Sequence, residues 1–278
     1  MSDNWIIENL THAFETWNGK LAEIWELIAQ TPQAFKGGDV WSVIVDINGG
    51  LKAIGYGLLV LFTAMSIFGS TMNFRDFKRP EYALRHFIRF VAAKTAVGYC
   101  MDIMTTIFEI CGGVVSSMAS RVGGGMTSAA VTLPGEIATA IEEVGFFASI
   151  PLWIVTLLGS LFITVLSFVL IMTVYGRFFK LYMYTALAPL PLASFAGEGT
   201  SSHGKAFIKS YIGVCMEGAV IVLACLIFTA FVGAQPAVAS GSVVTQVWAY
   251  IAETVFNMLI LVGLVKASDR IVKEMMGL

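Results

Sequence analysis

The chain has 278 residues, of which 57% are hydrophobic and 13% are charged, and its formal net charge is −2. Its mean hydropathy of +0.79 excludes an ordinary soluble domain, because the interior of a fold this size could not hold so much apolar surface. The nearly balanced charge argues against bulk affinity for nucleic acid. The composition predicts an all-α protein that crosses a membrane several times.

The N-terminal residues 4–30 place apolar side chains at steps of three and four, with glutamates between them. This pattern predicts an amphipathic helix, and its tryptophans suit the headgroup region of a membrane. Two placements fit the pattern: a helix lying on the outer membrane face, and a helix packed against the rest of the protein. We treat residues 1–48 as an amphipathic or interfacial region and residues 49–278 as the membrane domain.

Five apolar stretches are long enough to cross a bilayer, which takes about 20 residues. A basic loop follows the first, a loop rich in Gly, Ser and Ala follows the second, and a short amphipathic helix at 135–146 precedes the third. The predicted spans cover residues 49–70, residues 90–118, a stretch that begins near Pro151, residues 208–232 and residues 247–265.

The Lys and Arg residues predict the orientation of these spans. Segment 71–89 holds five of them, segment 176–209 four and the tail from residue 266 three, whereas segment 119–146 holds one and segment 233–246 none. Basic connections stay in the cytoplasm. Five spans place all three basic regions on the cytoplasmic side, with the N-terminus outside and the C-terminus in the cytoplasm.

The segment after the third span ends in two prolines, Pro189 and Pro191. Each proline removes an amide donor and restricts the residue before it, so a lipid-exposed helix could not continue through them. We therefore expect the third helix to run on into a cytoplasmic segment, residues 176–207. A re-entrant or interfacial hairpin that contains the prolines would follow the helix.

The same segment reads RFFKLYMYTALAPLPL, with Arg177, Lys180 and Tyr182 ahead of Pro189 and Pro191. This central motif, the five spans and the outside N-terminus together resemble the TrbL-like family, polytopic inner-membrane subunits of conjugative type IV secretion systems. The resemblance implies a channel or scaffold subunit that acts as a homo-oligomer in the bacterial inner membrane. It also implies other secretion subunits and ATPases as partners, besides membrane lipids, and single-stranded DNA with relaxase in transit.

Polar residues recur inside the predicted spans, where an ionisable side chain at a helix centre costs at least about 2.5–3.5 kcal/mol unless it has a partner. On the second span they fall within an arc of about 80° at 100° per residue, so they cannot face lipid. The intramembrane polar stripe consists of Lys94, Asp102, Thr105, Glu109 and Ser116 on the second span, Glu217 on the fourth, and Glu253 and Asn257 on the fifth.

Two interpretations of this stripe compete. In the structural one, Lys94 is neutralised by Glu217 or Glu253 on another helix, in the same chain or in a neighbouring chain. In the functional one, the stripe lines a hydrated path. Acids outnumber the lysine and would repel phosphate, so we expect DNA to pass through an assembled ring or beside other subunits.

No catalytic motif is found: neither HExxH nor GxSxG occurs, and we expect no enzyme activity, no cofactor and no metal site. The four cysteines lie in apolar helical stretches without a CxxC pair, which favours a packing role. Two other functions fit the layout, a stand-alone transporter or ion channel and an assembly scaffold without a pore. An odd number of spans and a single broken segment speak against the inverted repeats of a transporter.

Overall fold

The structure is a computed structural model that describes residues 5–71, 80–121, 130–142, 146–232 and 242–278. Within these residues the chain forms α-helices and short 3-10 turns and contains no strand, which confirms the predicted all-α class. The helices are α1 (Trp5–Ala29), α2 (Asp39–Thr71), α3 (Pro80–Gly98), α4 (Cys100–Arg121), α5 (Gly135–Glu142), α6 (Phe146–Leu187), α7 (Pro189–Ala193), α8 (Ser201–Val232) and α9 (Val243–Met276).

Five stretches of the described chain are long and apolar enough to cross a membrane, as predicted. Each coincides with one predicted span, although the first, fourth and fifth are longer than the sequence pattern indicated. They are Phe35–Gly69, Cys100–Met118, Ile150–Leu187, Ser201–Phe231 and Val243–Met276.

The second span is the exception. The predicted span over residues 90–118 is interrupted at Tyr99, between α3 and α4, and its apolar part is Cys100–Met118. Tyr99 still donates to the Thr95 carbonyl and accepts from the Ile103 N–H, so the interruption is one residue long. Gly98 lies at the division; glycine is a poor helix former, and a Cβ there would come within 3.3 Å of the Tyr56 hydroxyl. Residues 80–89, predicted as a loop, are also helical, with Pro80 at the first helical position, where proline is favoured.

Helix α6 runs without a break for 42 residues, which corresponds to about 63 Å at 1.5 Å per residue. This is about twice the hydrocarbon thickness of a bilayer, so the helix must extend beyond it or tilt strongly. The prediction that the third helix continues through the basic pair of the central motif is confirmed. The helix ends at Leu187, and α7 begins at Pro189.

Contacts divide the chain into two compact units. The first unit contains Met1–Ala29, Val115–Gly176 and Ala219–Ser268, and the second contains Gln30–Val114, Arg177–Gly218 and Asp269–Leu278.

In the first unit, α1 buries its apolar face. Leu10, Trp17 and Ile24 are fully buried. The Asn18 side chain exchanges two hydrogen bonds with the Val131 backbone: its amide donates to the carbonyl, and its oxygen accepts from the N–H, both at 2.9 Å. Of the two placements that the sequence allowed, α1 therefore adopts the one packed against the rest of the chain.

In the second unit, the proline-containing turn lies against α2 and α3. Ala188, Leu192 and Ala193 are almost completely buried. Gly55 on α2 allows the closest approach, since a Cβ there would lie 2.9 Å from the Pro189 carbonyl oxygen. The backbone that the prolines leave without regular helical bonds is therefore enclosed by protein, the situation in which a membrane protein tolerates such a break.

This contact predicts that Gly55→Ala destabilises the protein, whereas Gly57→Ala does not. The added methyl at position 55 would meet backbone atoms, which cannot move aside without separating α2 from the turn, and overpacking of this kind costs about 1–3 kcal/mol. A Cβ at position 57 would have nothing within 4 Å, so that variant gains only helix propensity. Thermal unfolding of the two detergent-purified variants measures the difference, and equal midpoints would contradict the close approach.

Candidate functional site in the central motif

The central motif places two cations on one side of α6. Arg177 and Lys180 are three residues apart, a spacing that brings side chains to neighbouring positions on a helix surface. Both side chains contact α8, and Lys180 also contacts the C-terminal part of α9. All of these residues belong to the second unit.

Arg177 is the unusual member, because its side chain is charged and only 2% of it is exposed. Its Nε donates to the Val214 carbonyl at 3.4 Å, and one terminal nitrogen donates to the Cys215 carbonyl at 3.1 Å. The Phe108 ring lies 5.7 Å from the guanidinium carbon, which adds a cation–π contact. A buried charge is tolerated only when it is compensated in this way.

The other terminal nitrogen, Nη1, has no hydrogen-bond partner among the described residues. Space for it is provided by Gly218 on α8, where a Cβ would lie 2.6 Å from this nitrogen and 2.7 Å from the guanidinium carbon. Glycine at position 218 therefore leaves the room that the guanidinium occupies in this position.

We predict that Gly218→Ala displaces the guanidinium and weakens its bonds to the α8 carbonyls. The expected cost is about 1–3 kcal/mol, the range for overpacking, since the clashing group is held on several sides. Gly213→Ala on the same helix is the matched control, because its Cβ would only touch Val272 at 3.4 Å. Chemical denaturation in detergent compares the two variants, and a Gly218→Ala protein as stable as the control would refute the packing.

Lys180 is the centre of a charge cluster on three helices. Its ammonium lies 2.9 Å from Glu217 Oε1 on α8 and 3.0 Å from Asp269 Oδ1 on α9, and Lys273 Nζ lies 2.8 Å from the other oxygen of Asp269. The Glu217 side chain is only 5% exposed, whereas those of Lys180 and Asp269 are 38% and 34% exposed. The charges within the cluster balance, two ammonium groups against two carboxylates.

These contacts bear on the predicted pairing of Lys94 with Glu217 inside one chain, and they leave a pairing between neighbouring chains as a prediction. Within the chain Glu217 is bonded to Lys180, and Lys94 is exposed on α3 and makes no ion pair with any residue that the structure describes. Lys94 lies on α3, before the apolar stretch Cys100–Met118.

The remaining stripe residues lie at the surface of their units. Asp102, Glu109 and Ser116 are exposed on α4, and Thr105 between them is half-buried. On α9, Glu253 is exposed and Asn257 is half-buried. Among the predicted stripe residues, the structure therefore buries Glu217 and brings it to the central motif, while the carboxylates of α4 remain accessible.

Other motif residues connect α6 to the elements around it. The Tyr182 hydroxyl donates to the Pro32 carbonyl at 2.8 Å. Asn48 on α2 is fully buried, donates to the Thr185 carbonyl at 2.7 Å and accepts from the Cys100 thiol at 3.1 Å. Pro189 is buried in the turn, and Pro191 is half-buried. The motif therefore holds α2, α4 and the turn in place, besides forming the charge cluster.

Three of these positions were not predicted from the sequence: Asn48, Gly218 and Asp269. Asn48 directly precedes the predicted first span, and Asp269 was counted with the cytoplasmic tail. The i,i+4 spacing of Asp269 and Lys273 is typical of a helical ion pair and is visible in the sequence. Gly218 carries no local signal, because its role depends on a side chain 41 positions earlier in the chain.

We predict that Lys180→Met destabilises the second unit by leaving the Glu217 carboxylate buried without its cation. The loss should remain below the about 3–5 kcal/mol of a fully buried pair, because Lys180 is partly exposed. A second substitution, Glu217→Gln, should recover part of the stability, since it removes the stranded charge. Lys273→Met is the control: its side chain is 57% exposed, so the change should cost at most about 1 kcal/mol.

Thermal unfolding of the four proteins in detergent measures this series. A double variant no more stable than Lys180→Met would show that Glu217 does not depend on Lys180. A Lys273→Met loss equal to that of Lys180→Met would show that the cluster has no buried centre.

The apolar helices, with charges compensated between them, define the class of this molecule: a polytopic α-helical membrane protein. The sequence model of the family described as TrbL/VirB6 plasmid conjugal transfer like protein matches residues 17–189, more than half of the chain. The chain belongs to that family and is a component of a conjugal transfer system of the type IV secretion kind. Comparisons with curated proteins and with solved structures find no match.

The matched region contains Arg177, Lys180 and Tyr182 and ends at Pro189. The acidic partners of the motif, Glu217 and Asp269, lie beyond it. The cations therefore fall within the part of the chain that the family model covers, and their counter-charges are contributed by the last two long helices.

Proposed function

We propose that this chain is a channel or scaffold subunit of a conjugative type IV secretion machine, and that it acts as a homo-oligomer in the bacterial inner membrane. The observation that carries the proposal is the exposed polar face of α4, a helix apolar enough to span a membrane. A single copy of the chain leaves this face without a suitable environment in lipid.

The depth of Glu109 in the span gives the size of the cost that lipid exposure would bring. The span Cys100–Met118 has 19 residues, about 28 Å of helix, so it barely crosses the hydrocarbon and Glu109 is its central residue. An ionisable side chain at that depth costs at least about 2.5–3.5 kcal/mol when it faces lipid. A neighbouring copy or water on this face would remove the cost.

Small residues beside the carboxylates favour a neighbouring helix. Gly112 and Gly113 follow Glu109 within one turn, and Cβ atoms added to either would meet nothing within 4 Å. Small side chains let helix backbones approach closely in a membrane, where packing and hydrogen bonds drive association. The face of α4 therefore has the composition of a contact between copies, with its acids at the edge of that contact or of a hydrated path.

The sign of the charge limits what passes along this face. Asp102 and Glu109 are both acidic and exposed, so a phosphate backbone would be repelled. In this proposal single-stranded DNA with its relaxase is transferred by the assembled complex, together with other secretion subunits and ATPases. The face of one chain does not carry it.

The orientation belongs to the same proposal. Basic segments set the sides of the membrane, with the N-terminal region outside and residues 176–207 and the C-terminus in the cytoplasm. Residues 1–48 then form the outer region, and residues 49–278 form the membrane domain. A cysteine at Ser201 should react only after permeabilisation, because the basic central motif precedes it.

The decisive experiment places single cysteines on α4 in membranes of cells that carry the transfer system. The native protein is a suitable background, because its four cysteines are buried. Glu109→Cys should form disulfide-linked dimers under mild oxidation, or react with a membrane-impermeant cationic thiosulfonate, since both outcomes need a polar or protein-covered face. Ile110→Cys is the matched control: this side chain is 67% exposed, lies about 100° away on the helix and should do neither.

Plasmid transfer between cells supplies the functional readout. Glu109→Leu should lower the transfer frequency, and Glu109→Gln should lower it less. Cross-linking without modification by the cationic reagent would favour the scaffold, and modification without cross-linking would favour the hydrated path. Absence of both, with normal transfer by Glu109→Leu, would place α4 against lipid and refute the proposal.

A further inference from the structure

Helix α8 lies between α4 and α9 in the second unit. On one side, the Tyr211 hydroxyl of α8 donates to the Met104 carbonyl of α4 at 2.9 Å. On the other side, a Cβ at Gly213 of α8 would lie 3.4 Å from the Val272 side chain of α9. At about 100° per residue, Gly213 is about 160° around α8 from Tyr211. Helices α4 and α9 therefore pack on opposite sides of α8.

The outer sides of the two flanking helices carry opposite charges. Cys111 of α4 faces α8, where its thiol meets that of Cys215, and Glu109 lies about 160° around α4 from Cys111. Val272 of α9 faces α8, and Arg270 lies about 160° around α9 from Val272. Glu109 is exposed, and the Arg270 side chain is 84% exposed. One chain therefore presents a carboxylate on one side and a guanidinium on the opposite side.

The two charges lie at nearly the same level along the helices. Helices α4 and α8 run in the same direction, because their two contacts follow each other in the same order along both helices. Glu109 and Gly213 each precede the thiol contact between α4 and α8 by two residues, so they are level with each other. Gly213 in turn meets Val272, which is two residues from Arg270. Two residues correspond to about 3 Å of helix, so Glu109 and Arg270 are level to within about one turn.

Both charges are available to another copy of the chain. Among the residues that the structure describes, Glu109 makes no ion pair. Arg270 Nε lies 2.8 Å from Glu274 Oε1, but both side chains of this pair are mostly exposed, and such pairs contribute little stability. Lys266 and Lys273 are exposed one turn to either side of Arg270 and add positive charge to the outer side of α9.

We propose that α4 of one copy packs against α9 of the next, with the Glu109 carboxylate paired with the Arg270 guanidinium. The inference rests on the proposed homo-oligomer and names the surface that α4 meets in it. Copies in one membrane share an orientation, so charges that pair between copies must lie at a common level, as these two do. A two-fold contact of α4 with α4 would instead oppose two carboxylates. The contact is heterologous, the type from which a ring is built.

The first test uses the full chain in membranes of cells that carry the transfer system, with the buried native cysteines left in place. Glu109→Cys combined with Arg270→Cys should give a ladder of disulfide-linked dimers, trimers and larger species under mild oxidation, because each copy can link to two neighbours. Glu109→Cys combined with Ile271→Cys is the matched control. Ile271 is 36% exposed but lies about 100° around α9 from Arg270, so no ladder is expected.

Exchange of the charges tests the pairing itself. Glu109→Arg should lower the fraction of oligomer recovered in a mild detergent at least about tenfold, because like charges that face each other across an interface repel strongly. A second substitution in the same chain, Arg270→Glu, should restore most of the oligomer. Lys205→Glu in its place changes an exposed lysine near the start of α8 and should restore none.

A disulfide formed by Glu109→Cys alone would join two α4 helices, so it would overturn the α4–α9 contact and still support the proposed oligomer. An equal ladder with Ile271→Cys, or no recovery on charge exchange in a protein whose native form is oligomeric, would overturn the contact too. Absence of cross-linking and of thiol modification at position 109, with normal transfer by Glu109→Leu, would refute the proposed function and the contact with it.

Discussion

The guanidinium of Arg177 has to be accommodated inside an apolar helix bundle, and much of the second unit is arranged around it. Two α8 carbonyls accept its hydrogen bonds, an aromatic ring from α4 lies beside it, and a glycine on α8 leaves room for it. Carbonyls already bonded within a helix can accept a second donor, so the arginine binds α8 without breaking it. This arrangement sets the spacing between α6 and α8, and the neighbouring charge cluster depends on that spacing.

At this spacing the Lys180 ammonium reaches acidic residues on both α8 and α9 and connects them to α6. Its two acidic partners come from helices that follow it in the chain, so the cluster joins elements far apart in sequence. A paired and partly hydrated cluster contributes little net stability, but it discriminates strongly against arrangements that leave one charge alone. The cluster therefore mainly selects the register in which the three helices pack, while apolar packing supplies most of the stabilisation.

Much of the architecture was predictable, because hydropathy and proline placement are local signals. The five spans, the continuation of the third helix and the break before Pro189 all follow from such signals. The division at Tyr99 was not predictable: a helical wheel assumes one straight helix, and Gly98 marks a contact with Tyr56 that only the fold reveals. The same assumption led to Glu217 and Glu253 as the candidate partners of Lys94. Within the described chain Glu217 is bonded to Lys180 instead, through tertiary contacts that no periodicity encodes.

The enclosed proline turn also has a consequence for biogenesis. Helices α2 and α3, against which it packs, are translated more than 90 residues before it. When the turn leaves the ribosome, α2 and α3 are already available in the membrane to cover it. The turn is therefore not exposed to lipid. Helices α2 and α3 can therefore insert first and then cover a later segment that would be unstable in lipid by itself. Separate expression of the C-terminal half would deprive that turn of the cover that α2 and α3 provide.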